Sequence, residues 1–269
     1  MRIAIQEDML PGRRMMEKFE QAKALGVDGI EFWGKGLGEK VASIVEAIGQ
    51  TGLAAASVNH GRQGRFLAPD PAEREAALAE LRDSIVCACD IGAKGVIFVP
   101  HFGDPCLPDL SPWMTASELQ YELLYTHLRT LEDYAMAMGI TLYVEPINRY
   151  ETHFLNRLEQ AAHLARKLNH PNVKIVADLF HMALDEKDLR AAIRDHGKAI
   201  GHVHLADSNR RLPGQGTTDF GTIAMVLDEV GFESWAAFEC GSPGANQARA
   251  DEYLRELPAS LAYLRERGW

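Results

Sequence analysis

Four polar residues that could bind a metal ion lie at or near the ends of predicted strands in the second half of the chain. Glu145 ends a strand that begins at Ile140, and Asp178 ends the next one. His204 lies on a third predicted strand, and Glu239 ends a fourth. Three carboxylates that meet at one place repel one another unless a cation lies between them. The spacing therefore predicts a metal site of three carboxylates and one imidazole.

The predicted ligand set favours a hard or borderline divalent ion. Oxygen-rich sites with a single nitrogen ligand are typical of such ions, whereas thiolate-rich sites favour zinc. The chain has 4 cysteines with no CxxC spacing, and the set needs none of them. The expected metal is Mn²⁺, with Mg²⁺ or Co²⁺ as alternatives.

The strands that carry these residues belong to a pattern that runs from end to end. Short apolar segments alternate with amphipathic helical patterns, and no Ser/Pro/Gly-rich linker divides the 269 residues. Eight strand-then-helix units at this length are typical of an α/β protein with a single (β/α)₈ TIM barrel domain over residues 1–269. A doubly wound sheet usually has a glycine-rich phosphate loop after its first strand, and none follows here.

The eight predicted strands are centred near Ile3, Ile30, Ala55, Ile97, Leu142, Ile175, Val203 and Ala237. The predicted helices span about 12–25, 38–50, 71–91, 116–138, 157–169, 186–196, 219–230 and 248–266. In such a barrel the active site lies at the C-terminal ends of the strands, where the predicted metal ligands are. Trp33 and Trp113 lie in loops expected at that end, and each could line a pocket or pack on its neighbours.

The composition bears on partners and on compartment. Lys and Arg total 28 and Asp and Glu total 38, which gives a formal net charge of -10 and disfavours nucleic acid as a partner. The first residues have no apolar signal segment, and no apolar run is long enough to span a membrane. We therefore expect a cytoplasmic protein with no membrane partner.

Several segments around the candidate ligands form recognisable motifs. The segments are Val144-Glu145-Pro146-Ile147-Asn148-Arg149-Tyr150-Glu151, Phe154-Leu155-Asn156, Asp178-Leu179-Phe180-His181-Met182, His204-Leu205-Ala206-Asp207-Ser208-Asn209-Arg210, Pro213-Gly214-Gln215-Gly216 and Phe238-Glu239. Together they resemble the ketose 3-epimerases, a family of xylose-isomerase-like barrels that includes D-tagatose, D-psicose and L-ribulose 3-epimerases. The resemblance covers roughly residues 140–240 in motif and spacing, and it is only architectural in the first half.

The resemblance implies roles for particular residues. Glu145, Asp178, His204 and Glu239 are implied to bind the metal, and Glu145 and Glu239 to be the catalytic acid/base pair. Glu151, His181 and Arg210 are implied to hydrogen-bond the sugar substrate around its carbonyl and hydroxyls. A homodimer or homotetramer is also implied.

The implied reaction agrees with the chemistry of the residues. It is C3 epimerisation of a ketose through a metal-bound cis-enediolate. Removal of a proton beside a ketose carbonyl requires a cation at the oxygens and a base beside the carbon. Inversion of the carbon requires a second acid on the opposite face, so two carboxylates on different strands suit the reaction.

Other reactions remain open. Hydroxypyruvate isomerases share segments like those around Glu145 and His181 but typically have Gln where this chain has His204, and they lack the Ser208-Asn209-Arg210 run. Another aldose–ketose isomerase is a further alternative. A phosphorylated sugar is also open, because the Gly214-Gln215-Gly216 loop lies where barrels often bind phosphate. The alternative for this loop is a tight turn that leads to a helix cap at Asp219.

Two further classes are less well supported by the residues. Apurinic-site endonucleases are similar barrels with three zinc ions and extra histidine ligands, and His60 and His101 occupy comparable positions. Their Asp-x-His pair after strand seven is replaced here by Asp219-Phe220-Gly221, so His60 and His101 are expected to be pocket-lining or structural. A barrel that has lost catalysis would be expected to lack at least one of the polar residues.

Overall fold

The computed structural model describes residues 1–242 and 245–269 and contains a closed barrel of eight parallel strands. The strands are β1 (Arg2–Gln6), β2 (Gly29–Trp33), β3 (Ala54–Asn59), β4 (Gly95–Phe98), β5 (Thr141–Val144), β6 (Val173–Asp178), β7 (Ile200–Leu205) and β8 (Trp235–Phe238). Among the described residues the α-helices are α1 (Met15–Leu25), α2 (Val41–Thr51), α3 (Pro71–Asp90), α4 (Ala116–Ala137), α5 (Leu158–Leu168), α6 (Leu179–Asp185), α7 (Leu189–His196), α8 (Phe220–Glu229) and α9 (Ala245–Arg265).

The strands are ordered around the barrel as they are in the sequence. Each pairs with the next in parallel, and β1 pairs with β8 to close the barrel. The register shifts between Ile30 and Phe32 and between Ile175 and Val176. The predicted fold class, an α/β barrel of eight strands, is therefore confirmed.

The barrel wall has two buried sides, because successive side chains of a strand alternate between them. In β5, Leu142 and Val144 belong to the large apolar cluster between strands and helices. Tyr143 points the other way and packs with Ile97 and Val176 inside the barrel. Glu145, two residues after Tyr143, continues the inward side and is buried.

Local signals in the sequence determine where several helices begin and end. The Asp70 carboxylate accepts a hydrogen bond from the Ala72 N–H at the start of α3, and Thr115 caps α4. Gly26 ends α1 in the left-handed region at φ 70°, which glycine adopts without steric cost.

The helix that the sequence analysis missed lies beside the candidate ligands. The short helix α6 begins directly after Asp178, whose carboxylate accepts a hydrogen bond from the His181 N–H. The predicted helix at about 186–196 is shorter in the structure and is α7. A seven-residue helix has too few turns to show a helical period in the sequence, and its cap is also a candidate ligand.

Among the described residues no helix is long and apolar enough to cross a membrane.

Candidate metal centre and active site

The structure brings the four predicted metal ligands together at the C-terminal mouth of the barrel. Asp178 ends β6, His204 lies in β7, and Glu145 and Glu239 directly follow β5 and β8. One ligand atom from each of the four lies within 4.8 Å of the others, and all four residues are buried.

His204 is the centre of this cluster. Its Nδ1 lies 2.9 Å from Glu145 Oε1, 3.1 Å from Glu239 Oε2 and 3.5 Å from Asp178 Oδ2. Carboxylate oxygens from three strands thus surround one ring nitrogen. A divalent cation at this place would neutralise charge that a single imidazole cannot, so the donor set fits a metal ion.

The charges of the cluster perturb one another strongly. Burial raises the pKa of Glu145 above its usual range, and Glu239 and Asp178 add to the rise while His204 opposes it. Burial alone would lower the pKa of His204, yet the surrounding carboxylates, above all Glu239 and Glu31, raise it well above its usual value. Burial raises the pKa of Asp178, but His181 and His204 outweigh it and lower the pKa. Such perturbation is typical of functional sites.

The opposite edge of the His204 ring is held by a residue that the sequence analysis missed. His204 Nε2 lies 3.2 Å from the carboxylate of Glu31, a fully buried residue of β2. The Ser57 hydroxyl donates to Glu31 at 2.6 Å, and Gln6 Nε2 donates to it at 3.0 Å. A carboxylate on one nitrogen of a histidine fixes the ring so that its other nitrogen can bind a metal.

Two further residues of the first half orient Glu239. Gln6 Nε2 donates to Glu239 Oε1 at 3.0 Å, and Asn59 Nδ2 donates to the same oxygen at 3.1 Å. The other oxygen of Glu239 is the one that faces His204. Strands β1 and β3 therefore position a ligand that β8 supplies.

The predicted substrate-binding residue His181 has a defined tautomer. Its Nδ1 accepts a hydrogen bond from the backbone N–H of Asn148 at 3.2 Å, so Nδ1 carries no proton. Nε2 must then be protonated, and His181 lines the cavity at the barrel mouth. The Asn148 side chain also contacts His181 Nδ1 at 2.7 Å and donates to Glu151 at 3.1 Å.

The other two predicted substrate-binding residues form an ion pair. Arg210 lies 3.1 Å from Glu151 through its guanidinium, and Arg62 from the loop after β3 lies 2.5 Å from the other oxygen of Glu151. Arg210 has a left-handed backbone with φ 60°, which is uncommon for a residue with a side chain. Strain of this kind concentrates at functional sites, where surrounding contacts enforce it.

A cavity of about 1030 Å³ opens above the four candidate ligands. Five of the predicted site residues line this cavity: Glu145, Glu239, His181, Arg210 and Glu151. The other two, Asp178 and His204, are buried behind the cavity wall.

Of the two tryptophans that the sequence placed in loops, Trp33 is instead the last residue of β2, and it lines the cavity. Trp113 lies on a surface loop and is 88% exposed. His60 also lines the cavity. The His101 ring contacts the backbone oxygen of Asp104. Among the described residues, the clusters that could hold a metal ion include neither His60 nor His101.

The loop after β7 is organised by the buried carboxylate of Asp207. It accepts hydrogen bonds from the backbone N–H groups of Ser208, Gly214, Gly216 and Thr218 at 2.8 to 3.0 Å. The glycine loop that could have bound a phosphate thus directs two of its N–H groups at Asp207.

Residues 19–266 match a protein-family model described as the xylose isomerase-like TIM barrel. The chain belongs to this family. Membership agrees with the closed barrel of eight parallel strands.

Several relatives that the chain is similar to are named as sugar epimerases. The 3-dehydro-D-guloside 4-epimerase of Escherichia coli K12 is 29% identical over 267 residues, which is 98% of this chain and 99% of that protein. A ketose 3-epimerase of Arthrobacter globiformis is 37% identical over 107 residues, covering 40% of this chain and 37% of that one. The apo crystal structure of 3-keto-D-glucoside 4-epimerase from E. coli has a TM-score of 0.85 at 29% identity, and the match covers 99% of both chains.

These relatives confirm the resemblance to ketose 3-epimerases and agree with the predicted isomerase class. They also include 4-epimerases, a reaction that the sequence motifs did not indicate.

Proposed function

We propose that this protein is a metal-dependent sugar epimerase that inverts a hydroxyl-bearing carbon next to a ketone carbonyl. The observation that supports this most is the approach of two carboxylates, Glu145 after β5 and Glu239 after β8, to the same nitrogen of His204. Two strands lie between them around the barrel. A substrate carbon above that point could thus be reached by an acid/base group from two directions.

The chain's own residues would divide the reaction among them. Glu145, a buried carboxylate that lines the cavity, would remove and return a proton on one face of the carbon. Glu239 would exchange a proton on the opposite face of the same carbon. The His181 Nε2–H and the Arg210 guanidinium would hold substrate oxygens, and Glu151 keeps Arg210 in place.

The cation held by Glu145, Asp178, His204 and Glu239 would stabilise negative charge on the substrate oxygens. Mn²⁺ is the metal that we propose, with Mg²⁺ or Co²⁺ as alternatives, because the set has three carboxylates and one imidazole.

The carbon that is inverted depends on where the carbonyl lies. In a free ketose it is C3, which the sequence motifs favour. In a 3-keto sugar it is C4, and this second candidate is supported by the 4-epimerase relative that matches along 98% of the chain. The chemistry is the same, since both carbons bear a hydroxyl and lie beside a carbonyl.

Partners and location are also proposals. We propose one domain, a cytoplasmic location, a small sugar substrate, no nucleic acid or membrane partner, and a homodimer or homotetramer. The charge of -10 supports the exclusion of nucleic acid.

A substrate panel tests the proposed function. Free ketoses, ketose phosphates, 3-keto glycosides and hydroxypyruvate are assayed with the Mn²⁺-loaded protein, the chelated protein and Glu239→Gln. We expect epimerisation of a keto sugar that requires metal and is lost in Glu239→Gln, while Glu233→Gln, a change at an exposed glutamate, leaves it intact. Activity on hydroxypyruvate alone would contradict the epimerase.

A further inference from the structure

One side of the barrel mouth carries polar atoms that have no hydrogen-bond partner among the described residues. Asp8 follows β1, Trp33 ends β2 and His60 follows β3, and all three line the cavity. None of them belongs to the candidate ligand set, which comes from β5 to β8. Because Glu145 and Glu239 line the same cavity, a substrate that fills the cavity would contact both groups of residues.

Asp8 is a buried residue, only 3% exposed. Neither oxygen of its carboxylate has a hydrogen-bond partner among the described residues. Two nearby ammonium groups contact Glu7 instead of Asp8. Lys40 Nζ lies 2.7 Å from the Glu7 carboxylate, and Lys18 Nζ donates to the Glu7 backbone oxygen. The Trp33 side chain lies close enough to favour the ionised form of Asp8, but not in the geometry of a hydrogen bond.

Asp8 therefore carries an unmet requirement for donors. Burial raises its pKa to about 6, so the group is still largely ionised at neutral pH. A buried carboxylate without donors is costly, and a bound group that donates O–H would remove that cost.

His60 adds a second unsatisfied atom on the same wall. It is 1% exposed, and its Nδ1 lies 2.8 Å from the Ser84 hydroxyl, while its Nε2 has no partner among the described residues. Burial lowers the pKa of His60 to about 4, so the ring is neutral and presents either an N–H or a lone pair.

These three side chains suit a hydroxylated ring better than an anion. A carboxylate accepts from hydroxyl groups and repels phosphate, and the half-buried Trp33 offers a flat apolar face for the C–H side of a sugar. The cavity volume of about 1030 Å³ lies at the upper end of the range for pockets that bind drug-sized ligands. A single monosaccharide is smaller than such ligands, so the cavity has room for a second ring.

We propose that Asp8, Trp33 and His60 form a second binding site, for a sugar ring joined to the reacting sugar, so that the substrate is a glycoside of a keto sugar. This inference rests on the proposed epimerase function. It assigns the β5–β8 side of the mouth to the reaction and the β1–β3 side to recognition of the attached ring.

Binding of unreactive glycosides tests the second site without turnover. Calorimetry of the full Mn²⁺-loaded chain would compare methyl glucoside, which has one ring, with methyl maltoside and methyl cellobioside, which have two. None of these has a ketone carbonyl. In the wild-type protein at least one two-ring probe should bind about tenfold or more tightly than the one-ring probe, the effect of a good hydrogen bond.

The tenfold advantage should disappear in Asp8→Ala and shrink in Asp8→Asn and Trp33→Ala. It should persist in the control Asp228→Ala, which changes an exposed aspartate of α8. Thermal unfolding of Asp8→Asn should occur at or above the wild-type Tm, because an unpartnered buried charge is removed. A merely structural Asp8 would instead lower the Tm.

Equal affinity of wild-type protein for one-ring and two-ring probes would overturn the second site. So would a two-ring advantage that survives in both Asp8 variants. If the wild-type protein epimerises a free ketose yet gains nothing from a second ring, the inference fails and the proposed epimerase function stands. Failure of the epimerase itself would be seen in the substrate panel, which does not depend on these probes.

Discussion

His204 lies against carboxylates on both edges of its ring, and the sequence predicted only the three at one edge. The three candidate ligands around Nδ1 follow from strand ends that can be read in the sequence. Glu31, at Nε2, lies within the apolar segment of β2 and has no motif around it. A buried carboxylate inside a barrel is visible only once the strands are placed side by side.

Glu31→Gln should weaken metal binding while the fold is kept. The amide cannot match a carboxylate as the acceptor for His204 Nε2–H, so the ring is less firmly oriented, and loss of such a contact typically costs about 10- to 100-fold in metal affinity. Competition with a chelator would measure the Mn²⁺ affinity. The exposed Glu20→Gln serves as a control. Unchanged affinity in Glu31→Gln would show that Glu31 does not position the ligand.

Arg210→Ala should impair the use of substrate without loss of metal. The guanidinium lies 3.1 Å from Glu151 and lines the cavity, and an arginine cannot bind a cation. Loss of one charge-assisted hydrogen bond to substrate corresponds to a decrease in kcat/KM of about 10- to 100-fold. Kinetics and elemental analysis would be compared with those of Arg211→Ala, a neighbouring exposed arginine. Metal loss in folded Arg210→Ala would contradict its assignment to substrate.

Among the elements, the loop after β7 shows how a single carboxylate can shape a segment that sequence patterns do not describe. Its glycines suggested either a phosphate site or a tight turn before the Asp219 cap. The cap is present, since the Asp219 carboxylate accepts from the Thr222 N–H at 3.1 Å. The four N–H groups that converge on Asp207 give the loop its form, and they place Arg210 beside Glu151.

Asp207→Asn should destabilise the protein in a pH-dependent way. Burial raises the pKa of Asp207, but the backbone N–H groups of Thr218, Ser208 and Gly216 outweigh it and lower the pKa. A lowered folded pKa means that the carboxylate adds stability above the unfolded value of about 3.9 and loses it as the pH falls through the folded value. At pH 7 the substitution should cost about 2–3 kcal/mol, because an amide group replaces an acceptor of four donors.

Urea unfolding of Asp207→Asn and wild-type protein at pH 7 and at several values below pH 5 would measure this dependence. The difference in unfolding free energy should shrink as the pH falls below about 3.9. The exposed Asp195→Asn should show little difference at any pH. A difference that grows on acidification would contradict the ionised, hydrogen-bonded state of Asp207.

At the scale of the whole molecule, the order of the strands is what the sequence predicted best. Alternating apolar segments and helices led to the barrel, and every predicted strand centre lies inside an observed strand. The barrel then brings Gln6, Glu31 and Asn59 from the first half against ligands from the second. Those contacts join residues far apart in the chain, such as Gln6 and Glu239, and depend on closure of the barrel. Patterns of neighbouring residues in the sequence therefore could not predict these contacts.

Solvent deuterium incorporation tests the central claim most directly, that Glu145 and Glu239 exchange a proton with one carbon beside the carbonyl. Reaction of the preferred keto sugar in D₂O with the metal-loaded protein, followed by NMR, should place deuterium at the inverted carbon, because one base removes a proton and the other carboxylate returns one from solvent. Glu145→Gln and Glu239→Gln should each abolish net epimerisation. Deuterium on another carbon, or near-normal epimerisation by Glu239→Gln, would contradict the account.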